Sequence, residues 1–306
     1  MAKIVFMGTP EFALPSLRGL ISAHDVLAVV TQPDRVAGRH RQLRQSPVKQ
    51  LALSAGIPVF QPMRIREPAA IEALREFDAE LFVVVAFGQI LPQSVLDLPR
   101  FGTINVHASL LPRWRGAAPI QVAICAGDVE SGVTIMLLDA GLDTGPMLAQ
   151  RSVKLSCDET GKSLHDKLSK TGAELLLDTL PKYLSGEITP RAQDESLATY
   201  APRIRKEEGE IDWLQPAEVI DRHVRAFTPW PGTYTQWEGK ELKVASGRTG
   251  DGKAAPGEVV ESSGMVAIGT GEGLYLPEEL QVAGKKRLSI ADFVNGYRDF
   301  LGAQLG

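Results

Sequence analysis

Along the first half of the chain, short apolar runs alternate with helix-spaced stretches. Lys3–Met7, the VLAVV run inside Asp25–Thr31, and Leu81–Phe87 (LFVVVAF) are almost wholly apolar. Strands buried on both faces of a parallel sheet read this way. Between these runs, Phe12–Ser22, Pro47–Ala55 and Pro68–Phe77 carry helical spacing; Ile71 and Leu74 share one face of the last. Pro15 falls in the first turn of its helix, where a missing N–H costs little. Further strands are predicted at Ile57–Phe60, Thr103–His107 and Val133–Asp139, with a helix at Ala117–Ala126. This βαβα rhythm predicts an α/β domain built on a doubly wound, Rossmann-like sheet.

The rhythm changes after a long helical pattern at Ser163–Leu184, which Gly186 and Pro190 punctuate. Residues 187–206 are rich in Pro, Asp, Glu and Ser and read as a linker between a first domain (1–186) and a second domain (207–306). The second domain predicts one helix at Pro216–Phe227. Strands follow at Thr233–Trp237, Glu241–Ala245, Gly257–Glu261, Met265–Ile268 and Gly273–Leu276, and a helix at Ile290–Arg298. Short strands broken by frequent turns predict a small antiparallel β-barrel, OB-like in character.

Composition narrows the class. A chain of 306 residues can bury two ordinary cores. Its only cysteines, Cys125 and Cys157, stand far apart without ligand spacing, so neither a zinc site nor a disulfide framework is expected. Each reads as a small buried side chain. The amino-terminal apolar run is too short for a signal peptide, and no run approaches about 18 apolar residues. The expectation is a cytoplasmic chain that enters no membrane, and, with no interface feature to read, a monomer. The net charge of −4 argues against wholesale nucleic-acid binding but leaves room for a local basic segment.

Three segments carry candidate chemistry. Gly8 in FMGTPEF stands where a nucleotide-binding fingerprint would begin, but the second and third glycines of GxGxxG are missing. A tight strand-to-helix turn is the better reading. Asn105-Val-His107 ends a predicted parallel strand, where open α/β sheets bind ligands, and period two puts both side chains on one side. Asn can donate a hydrogen bond to a developing oxyanion, and His can donate one and manage a proton. Past the strand that ends at Asp139, a glycine-punctuated loop presents Asp143. Either both carboxylates merely cap turns, or one reaches His107 and keeps its ring protonated for oxyanion work.

Taken together, Asn105-x-His107, SLLP (Ser109–Pro112), RWRGAAPIQ (Arg113–Gln121) and DAGLDTG (Asp139–Gly145) resemble the folate-dependent formyltransferases. Further pieces extend the resemblance from about residue 3 to 300: TQPDRVAGR, SPVKQLA, FGQILP, KEEGEIDW, RAFTPWPG and LQVAGKK. Leu137, Val36 and Glu272 depart from the family pattern, where Gln, Pro and Asp are common; none is in the catalytic set. The resemblance implies catalysis by Asn105, His107 and Asp143, with 10-formyltetrahydrofolate as co-substrate and no metal. It places the folate against Phe87, Gly88, Ile90 and Leu91, against Ser109, Leu110, Leu111 and Pro112, and against Asp139 and Gly141.

The acceptor amine divides the family. Some members formylate amino sugars or a nucleotide, and others the α-amino group of methionyl-initiator tRNA for translation initiation. Two features of this chain are similar to the second group. Residues 35–49 form a long basic segment with Arg35, Arg39, Arg41, Arg44 and Lys49 and no acid after Asp34. The expectation there is a loop, with arginines for tRNA phosphates. The barrel-like second domain suits a nucleic-acid backbone, and Lys206, Lys285 and Lys286 are its candidate tRNA contacts. A non-catalytic RNA-binding chain that kept the fold is a third reading.

Overall fold

The computed structural model describes residues 1–37 and 42–306. Arg39 and Arg41 of the basic segment lie outside the described residues. The chain divides into two compact units. The first holds residues 1–119, 130–154 and 165–201; the second holds 120–129, 155–164 and 202–306. The expected linker at 187–206 is thus shared: 187–201 belong to the first unit and 202–206 to the second.

In the first unit, β1 (Lys3–Gly8) leads through α1 (Leu14–Ala23) to β2 (Asp25–Val30). The short strands β3 (Arg35–Ala37) and β4 (Gln42–Arg44) follow, then α2 (Pro47–Ser54), β5 (Val59–Phe60) and α3 (Pro68–Glu76). Ser46 caps α2 by accepting from Lys49 N, with Pro47 preset for its first turn. Strand β6 (Leu81–Val85), α4 (Gln93–Leu96), β7 (Thr103–His107) and β8 (Arg115–Gly116) come next; the helix that follows, α5 (Pro119–Cys125), belongs to the second unit from residue 120 onward. Strands β9 (Glu130–Leu137) and β10 (Met147–Lys154), helix α6 (Gly161–Leu184), whose first four residues belong to the second unit, and β11 (Tyr200–Ala201) complete the series.

Seven of these strands form one sheet in the order β10-β9-β7-β6-β1-β2-β5. From β5 to β7 they run parallel, as the apolar runs predict; all five residues of β6 are buried. β9 and β10 run antiparallel, so the sheet is mixed. The strand at β10 carries no apolar run because it is an edge strand, half exposed along its length. Val5, Met7, Val30, Phe82 and Val84 pack with Leu74 and Val95 into one core layer. A Cβ on Gly8 would sit 2.9 Å from the carbonyl of Val85. The lone glycine of FMGTPEF therefore serves the close approach of β1 and β6. The chain also reverses direction in strand order there, which is where such sheets bind ligands.

In the second unit, α7 (Ala217–Phe227) precedes β12 (Thr233–Trp237), β13 (Lys240–Gly250), β14 (Val259–Ser262), β15 (Met265–Gly269), β16 (Leu274–Val282) and β17 (Leu288–Ser289), and α8 (Ile290–Gly296) follows. The sheet is antiparallel in the order β12-β13-β16-β15-β14, with β17 beside β16. Its two outer strands are linked by the last residues of the chain. Gly306 N donates to Gln236 O, Leu305 N to Gly257 O and Gly302 N to Val259 O, at 3.1, 2.9 and 2.8 Å. This segment supplies the closure that the five-strand path lacks. Trp213, Trp237, Tyr275, Phe293 and Phe300 fill the interior with Ile220 and Val224 of α7. Among the described residues no helix is long and apolar enough to cross a membrane.

Candidate active site

Asn105 and His107 project from one side of the last turn of β7, two residues apart. Asn105 is half-buried, and no protein group among the described residues hydrogen-bonds its carboxamide. His107 is buried. Its Nε2 lies 3.0 Å from the carbonyl of Trp114. A carbonyl only accepts, so Nε2 carries the hydrogen. The other ring nitrogen, Nδ1, faces Asp143 Oδ2 at 3.7 Å, within ion-pair range but longer than a hydrogen bond.

The two candidate carboxylates separate cleanly. Asp139 is exposed, and its Oδ1 accepts from Gly141 N at 3.0 Å and Thr144 Oγ1 at 2.7 Å. It closes the turn. Asp143 reaches toward His107 and accepts from Gly116 N at 2.9 Å. Its backbone has φ 53°, a left-handed conformation.

Of the predicted folate residues, Phe87, Leu91, Ser109 and Leu111 are buried, whereas Ile90 stands 90% exposed. The Phe87 carbonyl takes Thr9 Oγ1 at 3.0 Å and Gln32 Nε2 at 3.2 Å. These bonds pin the turns after β1, β2 and β6 together. Ser109 spends its hydroxyl on Arg113 O at 2.6 Å. Thr134 Oγ1 donates to Ser109 O and accepts from Leu111 N, and Gln150 Nε2 donates to Leu111 O at 2.8 Å. The SLLP segment, with its cis Leu111–Pro112 bond, is thus braced by β9 and β10. Gly88 holds φ 87°, and Leu110 and Pro112 are half-buried. Gly141 and Leu142 lie at the exposed crest of the Asp139 loop.

Several contributing residues carried no sequence signal of their own. Gln193 Nε2 donates to both Asp143 O and Gly145 O at 2.8 Å. Its Oε1 accepts from the fully buried Arg115, which also pairs with Glu195. The Glu195 hydrogen bond raises the Arg115 pKa further and lowers that of Glu195. Arg115 belongs to the quoted RWRGAAPIQ stretch, the one hint available. Among the described residues no cluster of His, Cys, Asp and Glu could hold a metal.

The basic residues fall in three places. Arg35 and Arg44 are exposed and directly paired across the β3–β4 hairpin, so two short strands stand where a plain loop was expected. Lys49 is not part of this basic surface. Its Nζ is held by Asp34 at 2.6 Å and Gln61 at 2.7 Å, which holds the Asp34 carboxyl below its usual range. In the second unit Lys206 is exposed and 3.9 Å from Glu241 Oε2. Lys285 and Lys286 are exposed on the turn between β16 and β17. Two cavities of about 660 and 470 Å³ also lie in the second unit, and no predicted site residue lines them.

Residues 2–180 match the formyl transferase family, and residues 203–298 match the formyl transferase C-terminal domain. The chain belongs to the formyl transferase family and is an enzyme of that family. It is 51% identical to the methionyl-tRNA formyltransferase of Citrifermentans bemidjiense, over 99% of this chain and 96% of that one. The methionyl-tRNA formyltransferase of Stutzerimonas stutzeri is 50% identical over 97% of this chain and 95% of its own. Among solved structures, an N-formyltransferase from Helicobacter canadensis, complexed with folinic acid and dTDP-3-aminofucose, has a TM-score of 0.68. It is 20% identical over 94% of this chain and 100% of that one. HypX from Aquifex aeolicus, complexed with tetrahydrofolic acid, has a TM-score of 0.65 at 19% identity, over 98% of this chain and 48% of that one. At such identities the likeness is one of fold.

Proposed function

We propose that the chain transfers the formyl group of 10-formyltetrahydrofolate to the α-amino group of methionyl-initiator tRNA. The observation that carries this reading is the half-identical, nearly full-length match to relatives named methionyl-tRNA formyltransferase. The β3–β4 hairpin supports the acceptor. Like charges directly opposite on a hairpin repel, so the Arg35/Arg44 pair suits a site whose counter-charge is a polyanion. Exposed Ile90 and Leu142 offer apolar surface on two of the loops assigned to folate, suited to a flat ring.

The site chemistry follows from the atoms in place. The amine nitrogen bonds to the formyl carbon, and the formyl oxygen takes up negative charge. Asn105, whose amide is not hydrogen-bonded by any protein group among the described residues, donates to that oxygen. Trp114 fixes Nε2–H of His107, which turns the Nδ1 edge toward the reacting centre; Asp143, just beyond hydrogen-bond reach, orients it. An α-amino group has a pKa of about 7.7–8.0, so much of it is neutral near pH 7 and a weak base suffices. Asp143, through water, takes the amine's proton and passes it to the carrier nitrogen as the adduct collapses, so that nitrogen leaves as a neutral amine when its bond to the formyl carbon breaks.

The test is formyl transfer by the purified chain to methionyl-initiator and methionyl-elongator tRNA. A strong preference for the initiator is expected, and an Asn105→Ala variant losing about 10²- to 10³-fold in kcat. Turnover of a small amine with neither tRNA used would move the chain to the sugar-modifying branch. Near-parental kcat for Asn105→Ala would remove the oxyanion role.

A further inference from the structure

We propose that Gln193 is a positioning residue that fixes the Asp143 loop for formyl transfer, an inference that rests on the catalytic reading of Asp143. Gln193 lies 50 residues beyond Asp143 in sequence, in a stretch whose composition reads as linker. Around it the backbone is tied to the first unit: Met147 N donates to Arg191 O and Arg191 N to Met147 O, at 2.7 and 2.9 Å. The Gln193 carboxamide is used to capacity. Its Nε2 gives one hydrogen to each of two loop carbonyls, Asp143 and Gly145, both at 2.8 Å. Its Oε1 accepts from Nε and one terminal nitrogen of Arg115 at 3.0 and 2.8 Å. Arg115 is itself 0% exposed and aimed by Glu195, at 2.8 and 2.7 Å.

This arrangement answers a specific need. A non-glycine residue in the left-handed region is strained and persists only when its surroundings hold it. Asp143 has φ 53°. Gln193 holds its main chain, and Gly116, the residue after Arg115, holds its side chain. The Gln193 carboxamide, itself aimed by Arg115, therefore sets the backbone, while the Gly116 N–H sets the direction of the carboxylate that faces His107. The same stretch reaches the histidine's other partner, because Thr199 Oγ1 accepts from Trp114 N at 2.9 Å.

The test compares Gln193→Glu, Asp143→Asn and the double variant in the full chain, with initiator tRNA and 10-formyltetrahydrofolate as substrates. Gln193→Glu leaves Arg115 an acceptor but sets an oxygen against two carbonyls. Its melting temperature should stay near the parent's. Its kcat should fall about 10- to 100-fold, with both KM values within about twofold. The double variant should be no slower than Asp143→Asn alone, because both changes act through one carboxylate. Gln193→Met, which removes the donors without adding charge, should reproduce the kcat loss. Parental kcat in Gln193→Glu or Gln193→Met beside a crippled Asp143→Asn would overturn the positioning role alone. So would a double variant whose losses multiply. Parental kcat in Asp143→Asn would overturn the catalytic reading, and with it the role given to Gln193.

Discussion

The two thiols behave oppositely although one expectation covered both. Cys157 is exposed, because it sits in the turn before α6 and not on an apolar face. Cys125, at the end of α5, is only partly accessible, and burial pushes its thiol up from 9.0 to about 11 despite the nearby Arg222 and Arg225. At pH 8 its thiolate fraction is then roughly a hundredfold below that of an ordinary thiol. Alkylation at pH 8, read by mass, should label Cys157 first and Cys125 only once the chain unfolds. Linkage fixes the sign of the pH effect. Between pH 9 and about 11 the unfolded chain has lost the Cys125 proton and the folded chain keeps it, so stability falls across that window. Urea midpoints for the parent and a Cys125→Ser variant should diverge there, with the parent losing more. At this scale the sequence read residue type well and direction poorly. Asn105 and His107 were legible because period two fixes which side a strand residue faces. Residue type and spacing alone left Asp139 and Asp143 indistinguishable, and only the family resemblance singled out Asp143, since which one turns inward depends on Gly116 and Gln193, distant in sequence. The Lys49–Asp34 pair was hidden in the same way: it needs Gln61 alongside.

The parallel strands were the most legible elements, because burial on both faces leaves an unbroken apolar run. Elements that owe their form to a neighbour were not. β10 is an edge strand without such a run, and β8 and β11 are two-residue strands that exist only by pairing with each other. The Asp139–Gly145 loop is the element on which the proposed chemistry turns. Its return to β10 is tight: a Cβ on Gly145 would lie 1.9 Å from Leu137 O, a backbone atom that cannot swing aside. Leu137 N also bonds Pro146 O at 2.9 Å, so loop and strand end are locked together. Gly145→Ala must displace one or the other. Overpacking of this kind costs about 1–3 kcal/mol, and it also moves the carbonyl that Gln193 holds. The variant should melt lower and lose kcat together. Gly186→Ala is a control for stability: it lies in the left-handed region with nothing within 4 Å of its Cβ, so it should lower stability modestly and leave kcat unchanged.

Across the whole molecule, the net charge of −4 says little about tRNA, because the cations proposed to meet it are local. Arg35 and Arg44 stand exposed on the β3–β4 hairpin of the first unit, and Lys285 and Lys286 on the β16–β17 turn of the second. Each unit thus presents its own basic point, and neither needs the chain as a whole to be cationic. If these residues neutralise phosphates, binding releases counterions, and log Kobs falls linearly with log salt concentration. Each phosphate contact contributes a slope of about −0.7 to −0.9. Replacing Arg35 and Arg44 by alanine should flatten the slope by about 1.5. Adding Lys285→Ala and Lys286→Ala should flatten it by about as much again. The turnover of bound tRNA at saturation should change little, because none of the four touches Asn105, His107 or Asp143. Filter binding over a salt series, paired with kcat, separates the possibilities. A slope that the second pair leaves untouched would remove Lys285 and Lys286 from the tRNA contact. A slope untouched by all four would leave that contact to Arg39, Arg41 and Lys206, whereas a flat salt response of the parent itself would take the acceptor reading away and leave the Asn105, His107 and Asp143 chemistry to a smaller amine.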